Sequence, residues 1–396
     1  MKTRHFILAV LLLGITFILF YLVPRQTDLP NVTLSAFGSE TIRAQVKEII
    51  EDGEIDLGGL TQRYQIARVE LLEGDYQGLV MEMDYGKRQV LSNTVYLKAG
   101  DKVLVTIGSR PDGILTVYFV DFMRVSPLLW LTMIFAIAIL LISRWKGLRS
   151  LLSMAFSLMV IIGFIIPRIL SGDDPLRVSI IGSVILLGVT LYLTYGWNLK
   201  THAAVISMVL VLLITGILAG LFVSFARLTG SGDENALFLL QILNTQINLR
   251  GLLLGGMIIG ALGVLDDLVT TQASAVFELY NANSSLGFRQ LFRFAMRIGQ
   301  DHVAATVNTL VLANAGASLP MLLLFTLGKG NLGYLVNFEF VAEEIVRTLV
   351  GSLGLISAVP LTTAIATFFV LRADSLANWE QFLGSVGGGE EHPHNH

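Results

Sequence analysis

The chain has 396 residues, 54% of them hydrophobic and only 14% charged, with a mean hydropathy of +0.69 and a formal net charge of −3. Soluble domains carry nearer 25% charged residues, so this composition points to a polytopic membrane protein. The small net charge carries no nucleic-acid signal, and the absence of cysteine excludes thiolate chemistry, disulfides and Cys-type zinc sites.

Lys2 and Arg4 precede an apolar run from Phe6 to Val23. The run is long and no small-residue cleavage site follows it, so residues 1–24 read as a retained signal-anchor helix with a cytoplasmic N-terminus. Residues 25–124 are polar and alternating. Thr41–Ile50, Arg63–Leu71, Gly78–Tyr85, Thr94–Leu97, Asp101–Ile107 and Leu115–Met123 have the period-two, β-branched pattern of strands. Turns at Glu51-Asp52-Gly53 and Ala99-Gly100-Asp101 separate them. Six short strands in so short a stretch predict a small closed or nearly closed OB-like barrel, outside the cytoplasm. It has no nucleophile–base cluster, which favours a docking or gating module.

From Val125 onward the chain is apolar. Spans are expected at Pro127–Ile142, Leu151–Ile166, Val178–Tyr195, Ala203–Ala226, Leu252–Tyr280, Val303–Leu327 and Val341–Leu371. With the anchor these make eight transmembrane helices, and residues 125–371 form a seven-helix membrane domain. Residues 372–396 are a cytoplasmic tail. The basic loop Arg144–Arg149, Lys200 and Arg289–Arg297 fall inside and the acidic loops Ser171–Asp174 and Ser231–Glu234 outside; Arg168, Arg177, Arg227 and Lys329 fall on outer loops, but the inner excess of basic residues favours both termini in the cytoplasm.

Within Leu252–Tyr280 the adjacent Asp266 and Asp267 interrupt a glycine-studded apolar run. A bilayer core of about 30 Å needs about 20 residues, so a helix stopping at Leu265 with both acids in a loop would be too short to span. On a continuous helix Asp267, Thr271, Ser274 and Glu278 lie within an arc of about 60°, an acid-and-hydroxyl stripe. Carboxylates in a spanning helix cost about 2.5 kcal/mol or more each and face a bundle interior or water. Leu286–Gln300 is amphipathic, with Arg289, Arg293 and Arg297 spaced to grip anionic headgroups from an interfacial helix. After it His302, Thr306 and Thr309 share a face, and His302 is suited to relay protons. Glu343 and Arg347 are spaced for an i, i+4 ion pair. Gly351 and Gly354 permit close helix packing, through which the core is expected to self-associate or pair, and Pro360 marks a kink. The tail histidines His392, His394 and His396 are spaced to meet a transition metal, but read first as a solvated terminus.

The segment Val125–Leu371, with the turn Pro167–Gly172 and the block GVLDDLVTTQASAVFEL, resembles the YibE/F family of bacterial membrane proteins. The anchor and exported β domain resemble its longer, YibE-type members. The resemblance implies no settled activity, but suggests pairing with a related YibF-like subunit or a second copy. Asp266-Asp267, Glu278, the basic connector and Gly351-Ser352…Ala358-Val359-Pro360-Leu361 are also similar in pattern to the membrane core of SecDF and the resistance–nodulation–division (RND) transporters. That likeness implies an ion- or proton-coupled transporter or translocation protein. Its proton- or sodium-binding residues would be Asp266, Asp267, Thr271, Ser274, Glu278, His302, Thr306 and Thr309, with no cofactor beyond the coupling ion. Unlike that core, spans seven and eight carry no mid-span lysine or arginine. Two readings stand beside it: a non-transporting scaffold or assembly factor, and an intramembrane aspartyl hydrolase. The hydrolase is disfavoured because adjacent aspartates point about 100° apart.

Overall fold

The computed structural model describes residues 41–56, 59, 61–87, 95–109, 115–242, 247–327 and 332–373. The anchor at Phe6–Val23 and the histidine tail lie outside the described residues. Two compact units divide at residue 142.

The first unit holds a closed five-stranded barrel in the order β1-β2-β3-β5-β4. Its strands are β1 (Thr41–Asp56), β2 (Thr61–Leu71), β3 (Val80–Tyr85), β4 (Lys102–Ser109) and β5 (Leu115–Phe122). Closure matches the expectation; the strand count does not. Thr94 lies outside the described residues, and Val95–Leu97 pairs with no strand. Side chains hold it instead: the Leu97 N–H donates to Gln65 Oε1 at 2.7 Å and the Tyr85 hydroxyl to the Val95 carbonyl at 2.7 Å. The turn expected at Glu51-Asp52-Gly53 is strand as well, paired through to Asp56↔Thr61. Cross-strand attraction between Asp52 and Arg63, 2.5 Å apart, favours that continuation. The long β1 pairs with β4 through Thr41–Gln45 and with β2 through Ala44–Asp56, and two register shifts, between Val46 and Glu48 and between Ile49 and Glu51, fall within the β2 pairing. Inward residues such as Val46, Val69, Met83, Val105 and Val117 fill the interior.

The rest of the structure is helical. Helix α1 (Val125–Val160) is broken only at Arg144, where φ is 49°. Of the loop expected at Arg144–Arg149, only Arg144 is non-helical, at a kink where two helices meet, and residues 145–149 are helical despite Gly147. A π-helical turn (Ile161–Ile165) and α2 (Ile166–Leu170) continue it. Then come α3 (Pro175–Tyr195), α4 (Leu199–Phe225), the short α5 (Glu234–Ile242), α6 (Leu249–Ala282), α7 (Phe288–Ala317), α8 (Leu319–Leu327), α9 (Leu332–Leu335) and α10 (Glu339–Leu371). Asp174, Asn198 and Asn248 cap α3, α4 and α6 by accepting from the N–H of Arg177, Thr201 and Gly251.

Helix α10 packs against α4, α6 and α7, and α6 also packs against α3. Gly255 of α6 faces Ser179 and Pro175 of α3, where only a glycine lets the backbones approach. Gly354 meets Thr215 of α4 in the same way. This glycine, expected to serve association between chains, is used inside the chain.

The amphipathic segment runs without a break into the first part of the expected span Val303–Leu327 as one helix, α7, while the rest of that span is the separate α8. Gly299 and Gln300 lie in its interior and no proline intervenes. Among the described residues, helices α1 with its extension, α3, α4, α6 and α10 are long and apolar enough to cross a membrane; α7 is not among these five.

Candidate functional site

Helix α6 runs unbroken past Leu265, so both aspartates stand on a continuous helix. With about 1.5 Å per residue, Asp266 lies about 26 Å from the start at Leu249, near the middle. The two acids part company by face. Leu265, Leu268 and Val269 point into the core, Asp266 is half-buried beside them, and Asp267 is on the outer surface of the bundle.

Asp266 and Thr270 lie about 40° apart on α6, and the buried Gln272 lies about 120° from Asp266 on another side of the helix. Oδ1 of Asp266 is buried and has no hydrogen-bond partner among the described residues. One turn on, the Thr270 hydroxyl lies 2.8 Å from the Asp266 carbonyl oxygen and 3.2 Å from the hydroxyl of Tyr195 at the end of α3. Gln272 is 1% exposed; its Nε2 donates to the Ala295 carbonyl of α7 at 3.0 Å and to Thr363 Oγ1 of α10 at 2.7 Å. That amide ties α6, α7 and α10 together on a different side of α6 from the acid. Thr362 and Thr367 of α10 also bury hydroxyls that have no hydrogen-bond partner among the described residues. Nearby in sequence, the Tyr192 hydroxyl and His202 Nδ1 are 2.8 Å apart, with Trp197 stacked on Tyr192.

The predicted stripe lies elsewhere. Asp267, Thr271 and Glu278 are exposed and Ser274 is half-buried, all on the outer face of α6. On α7, His302 and Thr306 are half-buried and Thr309 is exposed. The hydroxyls of Thr306 and Thr309 donate to carbonyls of their own helix, at His302 and Ala305. No hydrogen bond or ion pair joins the α6 stripe to the α7 set among the described residues. Arg289, Arg293 and Arg297 are exposed along one side of α7, while Leu291, Ala295 and Gly299 are buried on the other. Arg293 sits over the Phe294 ring at 5.7 Å.

A second polar cluster joins the loop after α4 to the start of α10. Glu339 accepts from the backbone N–H of Thr229, from the Thr229 hydroxyl at 2.7 Å, from the Gly230 N–H at 3.0 Å and from the Ser231 hydroxyl at 3.1 Å. Gly230 has φ +85°, and a Cβ on Gly232 would stand 2.7 Å from the Phe340 Cα. The Gly232 N–H donates to Glu343 at 3.2 Å. Glu343 therefore turns to the loop, and Arg347 pairs with Glu344 at 3.0 Å in place of the expected Glu343.

Sequence spacing located the acid pair but not the buried polar groups Thr270 and Gln272 or the exposed Tyr195. Gln272, the one amide in an otherwise apolar and hydroxyl-bearing stretch, was the available signal. No group of three or more metal-binding side chains occurs among the described residues.

The apolar helices and the β-barrel define a mostly helical chain compatible with a multi-pass membrane protein. Residues 131–372, more than half of the chain, match the profile of the YibE/F-like proteins, and the chain belongs to that family. No curated protein and no solved structure matches it.

Proposed function

We propose that this chain is an ion- or proton-coupled membrane transporter or translocation protein in which Asp266 takes up the driving cation. The observation that carries this is the buried, unpartnered Oδ1 of Asp266 in the middle of an apolar helix. A carboxylate so placed is costly unless a proton or cation neutralises it. Loading and unloading that site would change the charge inside the α3–α6–α10 packing, and so bias one arrangement over another. Thr270 and Tyr195 would line the approach. The SecDF and RND likeness, the eight-span topology and the extracytoplasmic barrel belong to this reading. Asp267, Thr271 and Glu278, on the outer face of an apolar helix, would then meet a second copy or a related subunit, because a carboxylate facing lipid is costly.

The test pairs Asp266→Asn with Asp267→Asn in the full chain reconstituted into liposomes. Proton flux is followed by an internal pH dye and sodium flux by radiotracer, and melting is measured in detergent. Asparagine keeps the size but cannot titrate. Asp266→Asn is expected to abolish flux while its melting temperature stays level or rises, since an uncompensated buried charge is removed. Full flux from Asp266→Asn, or no flux of either ion in the unmodified protein, would end the transporter reading.

A further inference from the structure

Helices α6, α7 and α10 enclose a cavity of about 230 Å³ that the ion site does not use. Its walls are apolar, formed by Val264 and Leu265 of α6, Leu310 of α7 and Leu355 of α10, with Gly351 leaving room on the α10 side. Its polar groups are Asn314 and Arg347. Asn314 donates to the Thr348 hydroxyl at 2.7 Å, which places both polar contributions at the same level of the helices.

That level is decisive. After Arg347, Thr348–Leu371 carries no charged residue, so Arg347 is the last charge before an uncharged stretch long enough to cross a bilayer core. The wall at Leu355 lies eight residues further on, about 12 Å along the axis. The cavity thus has its charged end where headgroups sit and its apolar end where acyl chains sit. Apolar walls of this kind favour apolar guests over water.

The mouth carries both signs. The side chains of Arg347 and Glu344 are 44% and 24% exposed and 3.0 Å apart. Glu339 and Glu343 are already engaged by the Thr229–Gly232 loop. Arg347 has five N–H donors, and Glu344 takes one of its nitrogens. A guanidinium paired with a carboxylate complements a phosphate beside an ammonium, and an additional net negative charge would meet the three glutamates of this turn unfavourably. We propose that this cavity is a binding site for one zwitterionic phospholipid, with an acyl chain between α6, α7 and α10, its phosphate on Arg347 and its ammonium toward Glu344. The site goes beyond ion coupling and does not depend on it.

Native mass spectrometry of the full chain, released from vesicles of equimolar phosphatidylethanolamine, phosphatidylcholine and phosphatidylglycerol with matched chains, tests this. One zwitterionic lipid should be retained about fivefold over phosphatidylglycerol. Gly351→Leu, whose side chain grows into the cavity beside Leu310, should lower retention about fivefold, as should Arg347→Gln. Arg347→Lys should keep it, and Glu344→Gln should erase the preference over phosphatidylglycerol. Arg347→Gln changes an exposed side chain, so it remains informative if Gly351→Leu does not fold. Retention of phosphatidylglycerol equal to or above the zwitterionic lipids overturns the proposal. Retention that is unchanged in Arg347→Gln also overturns it.

Discussion

At the scale of single residues, this helical unit depends on small groups placed where backbones meet. Gly354 of α10 faces α4 so closely that an added Cβ would stand 2.5 Å from Thr215 Oγ1. Thr215 is 2% exposed and its hydroxyl already donates to the Val211 carbonyl, so it has no open space to move into. Gly354→Leu is therefore expected to destabilise the single chain by about 1–3 kcal/mol or more, the usual range for overpacking. Thermal unfolding in detergent should show a lower melting temperature, together with loss of folded monomer on gel filtration. A well-folded monomer that has merely lost its partner would return Gly354 to an interface between chains. Gly351 differs, since its Cβ would meet only Leu310 Cδ2 at 3.4 Å and it borders the lipid cavity.

At the scale of elements, the barrel sets its strands by hydrophobic closure and decorates them with cross-strand charge pairs. The Arg63 guanidinium hydrogen-bonded to Asp52 holds that carboxyl below the usual range, and Arg43 does the same for Glu73. Arg124 lowers Asp121, and the Tyr64 hydroxyl lowers Glu51. A carboxylate with a depressed folded-state pKa contributes stability that is present above its unfolded value, about 4, and lost as pH falls through the folded one. These pairs are exposed, so each effect is small. Barrel amides in β1 and β2 should open more readily at about pH 3 than at pH 7 once intrinsic exchange rates are corrected. Arg63→Gln should flatten that difference near Asp52. Equal protection at both pH values would show that the pairs contribute nothing.

At the scale of the whole molecule, the arrangement of charge predicts how the chain threads the bilayer. Reporters fused near Asp52 should lie outside the cytoplasm, and reporters at Trp145, Ser285 and the C-terminus inside, because basic residues concentrate in the inner connections. Trp145 is the demanding position. It follows the non-helical Arg144, where the two helical parts of Val125–Val160 meet at a kink. A cytoplasmic signal at Trp145 requires the chain to turn there. A cytoplasmic signal near Asp52 would remove the retained-anchor arrangement and the exported barrel with it.

Much of the architecture is local in origin and so was legible along the chain. Runs of apolar residues must hide from water whatever their neighbours do, which is why α3, α4, α6 and α10 follow the expected spans closely. Alternation and turn chemistry likewise announce a small closed sheet. The acid pair stood out because two aspartates in an apolar helix are expensive anywhere. What the sequence could not decide is direction and pairing. Helical spacing groups Asp267 with Thr271, Ser274 and Glu278, but only the packing of α3, α7 and α10 around α6 determines that this face looks outward and that Asp266 looks in. Arg347 could reach Glu343 or Glu344 by spacing alone; the loop from Thr229 to Gly232, more than a hundred residues away, takes Glu343 and leaves Glu344. Val95–Leu97 has strand-forming residues, yet Gln65 and Tyr85 supply its hydrogen bonds before any strand can. In each case the deciding partner is distant in sequence, and a periodicity along one element carries no information about which distant group will satisfy it.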